Sequence, residues 1–126
     1  MARVLIDTSA LVSAVEWRVD IWSELERVLL VPFTVAVVEG TLAELDVVAA
    51  KSGKHKLRVR IAKMLLVKKG VERLAGVGHV DDVIVELADR KSTFVLTQDQ
   101  GLKRRLKAKG VPVITIRQKK FLVVVE

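Results

Sequence analysis

The order of segments along the chain predicts an α/β domain in three layers, a mostly parallel sheet covered by helices on both faces. Two observations carry that expectation. Short β-branched runs alternate throughout with longer stretches whose apolar residues recur at helical spacing. The length, 126 residues of which 51% are hydrophobic, fits one domain with one core and leaves no room for a second.

Taken in order, Arg3 to Ile6 (R-V-L-I) ends in Asp7 and reads as a buried strand. S-A-L-V-S-A-V follows as a helix. V-D-I-W-S-E-L-E-R-V-L-L sets Ile21, Trp22, Leu25, Val28 and Leu29 at helical spacing, with Asp20 placed to start that helix and Pro32 to end it. Phe33 to Val38 is a second strand. Gly40 to Ala50 reads as a helix with Leu42, Leu45 and Val48 or Ala49 on one face, broken by Ser52 and Gly53. His55 to Lys69 reads as a basic amphipathic helix stopped by Gly70. Leu57, Ile61, Met64 and Leu65 are expected inside it, with Lys56, Arg58, Arg60 and Lys63 outside.

Val71 to Ala75 is a weaker third strand. Val80 to Arg90 is helical, with Val83, Ile84, Leu87 and Ala88 inward. Thr93 to Thr97 is a clear strand, and Asp99 to Lys109 a basic helix closed by Gly110. Val111 to Ile116 reads as a final core strand and Phe121 to Val125 as an edge strand. No linker, repeat or low-complexity segment interrupts the series.

Composition excludes several classes of function. The chain has no Cys, which removes disulfide scaffolds, thiolate metal sites and cysteine nucleophiles together, and fits a reducing, cytoplasmic setting. No Tyr and 4% aromatics argue against stacking as the main way of holding bases. No apolar stretch reaches the roughly 18 residues of a membrane span, and the N-terminus lacks a signal-peptide layout.

Charge is unevenly placed. The net +7 divides into −5 over residues 1–46, +8 over 47–71, −3 over 72–102 and +7 over 103–126. Either basic run alone reads as a solvated helix face. Both together, with acids between them, point to nucleic acid.

In a parallel sheet the site lies beyond the carboxyl ends of the strands. That rule selects Asp7 after the first strand, Asp99 after the strand ending at Thr97, Asp81 and Asp82 at the start of a helix, and Glu44 one turn into another. Each has a plainer reading: Asp7 and Asp99 as helix caps, Asp81 or Asp82 as dipole partners, Glu44 as a solvated side chain. Gathered at one edge, however, carboxylates repel unless a cation fills the space between them. Hard oxygen ligands suit Mg²⁺ or Mn²⁺. Two such ions can clamp a phosphodiester, one activating water and one steadying the leaving oxygen. Glu39 is a weaker candidate, and Asp46, Glu86 and Asp89 read as outer-face charges. No phosphate-cradling glycine motif is present. His55 and His79 are the only histidines, and neither is expected in the site.

The run V-L-I-D-T-S, then L-A-E-L, V-D-D-V-I-V-E-L-A, F-V-L-T-Q-D-Q-G-L-K-R-R-L and G-V-P-V-I-T-I-R, resembles the PIN domain over essentially the whole chain. V-D-I-W-S-E-L-E-R-V-L and the tail from Gly110 onward are most similar to small archaeal PIN proteins related to the nuclease that processes small-subunit pre-rRNA. The resemblance implies a parallel sheet of about five strands and a metal-dependent endoribonuclease acting on single-stranded RNA or an rRNA precursor. It puts the family's acids on Asp7, Glu44, Asp81 (with Asp82 the adjacent alternative) and Asp99. Thr8 and Thr97 fall where the family places supporting hydroxyls. Ser9 stands where relatives often have Asn, and Gln98 in a T-N-D-like position; both keep a polar side chain. Zinc-ribbon PIN nucleases are excluded by the missing cysteines.

On this reading one or two Mg²⁺ or Mn²⁺ ions sit among the acids, and Lys54, Lys56, Arg58, Arg60, Lys103, Arg104, Arg105 and Lys107 grip the RNA backbone. Two alternatives share the fold: a VapC-type toxin ribonuclease with an antitoxin partner, and a non-catalytic RNA-binding or ribosome-assembly module. A phospho-acceptor receiver domain does not fit, because V-E-R-L-A lacks the acceptor Asp. The apolar strand F-L-V-V-V invites pairing with a second chain, so a homodimer is expected.

Overall fold

Strand residues alternate between two apolar layers, and that alternation sets the architecture. The computed structural model describes residues 1–125. Its elements are β1 (Ala2–Ile6), α1 (Thr8–Trp17), α2 (Ile21–Val28), β2 (Phe33–Val38), α3 (Gly40–Ala49), α4 (Gly53–Lys68), β3 (Glu72–Leu74), α5 (Val80–Leu87), β4 (Thr93–Leu96), α6 (Gln100–Lys109), β5 (Val113–Arg117) and β6 (Phe121–Val125). Val4, Ile6, Val37, Leu96, Ile114 and Ile116 pack with α1, α2, α3 and α4 on one face. Their neighbours Leu5, Ala36, Val38, Val95 and Val113 pack with α5 and α6 on the other. This is the two-residue period of a strand buried on both sides.

The sheet has six strands in the order β3-β2-β1-β4-β5-β6. All neighbours are parallel except β5 and β6, which pair antiparallel from Val113↔Val125 to Arg117↔Phe121. The chain builds outward from β1 to β3 on one side, then returns to place β4 and β5 on the other. The crevice between the ends of β1 and β4 is therefore the switch point at which such sheets bind ligands.

Several expectations need correction. α2 ends at Val28, four residues before Pro32, because Leu29 already turns to extended backbone and buries its side chain. α4 turns a different face inward: Val59, Ala62 and Leu66 are buried, whereas Leu57, Ile61 and Met64 are exposed. α4 has apolar residues around most of its circumference, so periodicity alone does not select the buried stripe. α5 stops at Leu87, which is exposed. Lys109 caps it from outside, its ammonium donating to the carbonyls of Val85 and Glu86.

The sixth strand, β6, is the edge strand expected over Phe121 to Val125, beside the sheet of about five strands that the resemblance implies. It is an edge strand, but one partly covered within its own chain. The Leu122 N–H donates to Glu24 at 2.9 Å, and Arg27 donates to the Leu122 carbonyl at 2.8 Å. Glu24 and Arg27 also pair with each other. This ion pair of α2 occupies backbone groups that a second chain would need for strand pairing. Among the described residues no helix is long and apolar enough to cross a membrane.

Candidate active site

Residues following β1 and β4, the first turns of α1 and α5, and α3 one turn from its start surround a pocket of about 370 Å³. Its lining includes Asp7, Thr8, Ser9, Glu44, His79, Asp81 and Asp99. Four carboxylates from four distant parts of the chain thus open onto one space.

Asp7 is 4% exposed. It occupies the N-cap position of α1, yet its side chain makes no capping bond. Instead Oδ2 accepts from Ser9 Oγ at 2.7 Å and from Thr97 Oγ1 at 2.8 Å. Thr97 in turn accepts from the Asp99 N–H at 3.0 Å, so one buried hydroxyl ties two of the acids together. Ser9 accepts from the Gln98 N–H at 3.1 Å. Asp99 does cap α6, through Oδ1 from the Leu102 N–H at 2.9 Å. Glu44 accepts from Thr8 Oγ1 at 2.5 Å through Oε1.

A pattern runs through these contacts. Asp7, Glu44 and Asp99 are each anchored through one oxygen, and among the described residues the other oxygen of each has no donor. Asp46 and Asp89 are also bonded through one oxygen, but they stand apart; what sets these acids off is that with Asp81 they open onto one pocket, and no described residue forms an ion pair with any of the four. Asp81 has no anchor. Burial raises its carboxyl above the ordinary value, and the charges of Asp7, Asp99 and Glu44 raise it further, with only Arg105 acting the other way. Asp81 therefore feels the other three acids, and among the described residues none of the four has an ion-pair partner. Among the described residues, no three are already drawn together as a finished ligand set.

Gly40 lets two walls of the pocket approach. A Cβ there would lie 2.9 Å from Val80 Cγ2, so the residue opening α3 has no room for a side chain beside α5. Glu44 and Asp81 are carried by those two helices.

The remaining candidates scatter. Asp82 faces α6, pairs with Arg105 at 2.8 Å and does not line the pocket. His79, expected elsewhere, does line it, because the residue before α5 stands at the pocket's edge. Gln98 does not enter the pocket lining. Its amide accepts from the Ile116 N–H at 2.6 Å and from Thr115 Oγ1 at 2.7 Å, and donates to the Ile116 carbonyl at 3.2 Å. A side chain thereby continues the β4–β5 ladder beyond the end of β4 and fixes the loop that carries Asp99. Of the basic residues, Lys54, Lys56, Arg60, Arg104 and Lys107 are exposed. Arg58 is half-buried and paired with Glu16 at 3.4 Å. Lys103 donates to Thr115 Oγ1 at 2.9 Å.

Fold and pocket together define a class: an α/β domain with a carboxylate site at the switch point of its sheet. The chain belongs to the PIN-like domain family, which matches residues 4–119. It is 28% identical over 126 residues to Ribonuclease VapC4 of Methanocaldococcus jannaschii, an alignment covering 96% of this chain and 95% of that relative. Its structure is similar to that of the PIN domain endonuclease Utp24, with a TM-score of 0.78, 25% identity and coverage of 97% of this chain and 90% of the other. A domain of a functionally unknown protein from Methanocaldococcus jannaschii shares the fold at a TM-score of 0.59 and 19% identity, covering 93% of this chain and 92% of that one.

Proposed function

We propose that this chain is an endoribonuclease that hydrolyses RNA phosphodiesters in the acid pocket. The observation that carries the reading is the set of four unneutralised carboxylates, three of them fixed through one oxygen with the other left open. The family and the two nuclease relatives support the same chemistry.

The donor set suits a hard divalent cation, Mg²⁺ or Mn²⁺, held as one or two ions by Asp7, Glu44, Asp81 and Asp99. Such a cation would supply charge to offset the phosphate and would make water acidic enough to act as nucleophile. The chain's own residues do the rest. Ser9 and Thr97 hold the Asp7 carboxylate in one orientation, and Thr8 does the same for Glu44. The Leu102 N–H fixes Asp99. Lys54, Lys56 and Arg60 of α4, and Arg104 and Lys107 of α6, are exposed cations that can meet a phosphate backbone, and Lys103, held by Thr115, has no carboxylate partner among the described residues. Arg58 and Arg105 contribute less, since each already has a carboxylate partner.

The test is cleavage of a labelled single-stranded RNA by the purified protein with Mn²⁺, Mg²⁺ or EDTA, beside Asp7→Asn. Cleavage that needs the cation and vanishes in the variant supports the reading. RNA binding without cleavage under every condition would favour a non-catalytic RNA-binding module.

We read the cellular role as rRNA processing, on the sequence pattern described above. The relationship to Ribonuclease VapC4 favours a second role, a toxin held in check by an antitoxin. Expression of the chain alone separates them: growth arrest relieved by a neighbouring gene product identifies the toxin.

A further inference from the structure

A second pocket, of about 500 Å³, lies on the α5–α6 side of the sheet between α6 and β5. Arg90, Lys103, Lys107 and Arg117 all line it. Lys103 and Lys107 are one turn apart on α6, so they share a helix face. Val113, Thr115 and Arg117 alternate along β5, so they share a sheet face. Val125 of β6 adds an apolar edge.

Three features mark this pocket as built for an anion. No carboxylate stands in its described lining, and none of its four cations forms an ion pair with another described residue. Lys103 is held in place by a neutral hydroxyl, Thr115 Oγ1, which is itself fixed by Gln98. The pocket's walls are not only charged: Val111, Pro112, Val113 and Val125 give it an apolar floor. Its volume is that of a ligand site and is larger than a bare phosphate needs.

Its position relates it to the acid site. Lys103 is one turn along α6 from Asp99, and the Asp99 charge is felt at Lys103. Asp99 lines the acid pocket and Lys103 lines this one, so the two pockets open beside neighbouring turns of one helix.

We propose that the α6–β5 pocket is a nucleoside-phosphate subsite: it takes one nucleotide of the RNA strand flanking the cleaved bond, the phosphate among Lys103, Lys107 and Arg117 and the base against Val113 and Val125. The assignment to a strand rests on the ribonuclease reading; the nucleoside-phosphate chemistry does not.

The experiment measures binding and not cleavage, so that the two readings fail separately. Asp7→Asn protein is titrated with a fluorescein-labelled single-stranded oligoribonucleotide over a range of salt. On that background Lys107→Gln and Arg117→Gln are each expected to weaken binding about fivefold and to lower the salt slope by about 1. Val125→Trp fills the pocket without altering charge, at an exposed position of an edge strand that accepts aromatic residues. It is expected to weaken binding about as much. Arg3→Gln, at the end of β1 opposite Asp7 and outside both basic runs, serves as the control and is expected to change affinity less than about twofold.

Equal effects from Lys107→Gln and Arg3→Gln, or unchanged binding by Val125→Trp, would overturn the subsite in favour of a diffuse positive surface. Absence of RNA binding in the parent protein would overturn the strand assignment. Adenosine 5′-monophosphate binding that Val125→Trp abolishes, with RNA unbound, would instead identify a site for a free nucleotide. If the subsite variants weaken RNA binding but the wild-type chain cuts no RNA with any cation, the subsite stands and the nuclease reading falls.

Discussion

Two pockets lie one helical turn apart along α6, one lined with acids and one with cations, and they are held in different ways. In the acid pocket Asp7, Glu44 and Asp99 are each fixed by a hydroxyl or a backbone N–H. In the basic pocket only Lys103 is tethered, while Lys107 and Arg117 stand exposed on long flexible stems. Bond-breaking requires groups placed to a fraction of an ångström; gripping a flexible polyanion requires charge within reach. Substitutions around the acids should therefore act nearly all-or-none, and those around the cations in graded steps.

The largest effect belongs to Asp7→Asn. It keeps shape and hydrogen-bonding capacity but removes the charge at the one buried acid. Cleavage is expected to fall on the order of 10³-fold, the size of several kcal/mol of transition-state stabilisation. Circular dichroism should remain that of the wild type, and a large loss of secondary structure would mean that Asp7 serves the fold first.

Next comes Thr97→Val, which removes one hydroxyl from a fully buried position. Asp7 loses an anchor and the Asp99 N–H loses its acceptor. Loss of such a supporting contact is expected to lower both cation affinity and cleavage about 10- to 100-fold. It should also cost about 1–3 kcal/mol in urea unfolding, because a buried N–H is left unpaired. Thr97→Ser should restore most of both. A Val variant that cleaves like the wild type would show that the acids do not depend on their anchors.

On the cationic side the steps are small. Lys107→Gln and Arg117→Gln combined should lower the salt slope by about 1, no more than either alone, because both cations serve the one phosphate the pocket holds. A double variant that lowers it by about 2 would mean that the two cations meet different phosphates.

The difference between the pockets also marks what the sequence could reveal. The fold was legible because strands buried on both faces are short β-branched runs, such as R-V-L-I and T-F-V-L-T, that stand out between amphipathic stretches. The acids were legible because parallel sheets put their sites at strand ends, where Asp7 and Asp99 sit. Their anchors were legible only through the family resemblance, which puts supporting hydroxyls at Thr8 and Thr97: Thr97 reaches Asp7 across 90 residues of sequence, and nothing local distinguishes it from an ordinary strand-end threonine. The basic runs differ more than their charge tells. Residues 47–71 pair Arg58 and Lys63 with Glu16 and Asp46, whereas the run from residue 103 pairs Arg105 with Asp82 and sets Lys103, Lys107 and Arg117 around a cavity with Arg90. The β5–β6 turn was equally silent. Gln118 and Lys119 both adopt a left-handed φ of 56°, where a sequence signal would have been Asn or Gly.

The smallest effect tests why the acid pocket is kept at all. Asp81 carries a carboxyl raised above its ordinary value by burial and by three neighbouring acids. A raised acid binds more protons folded than unfolded between the model-peptide value of 3.8 and its own higher one. Stability therefore falls as pH rises through that window, and the cost persists above it. Asp81→Asn removes the cost. Without added cation it should be more stable than the wild type near neutral pH, by about 0.5 kcal/mol given how much solvent screens a half-exposed group. The gap should close as pH falls below about 3.8, where Asp81 is protonated in both states. Saturating Mn²⁺ should reverse the order, because a cation that binds the folded acids stabilises only the chain that still has all four. The same variant should lose cleavage, so one substitution raises stability and removes function. An Asp81→Asn protein less stable than the wild type without cation would mean that Asp81 belongs to the structure and not to the site.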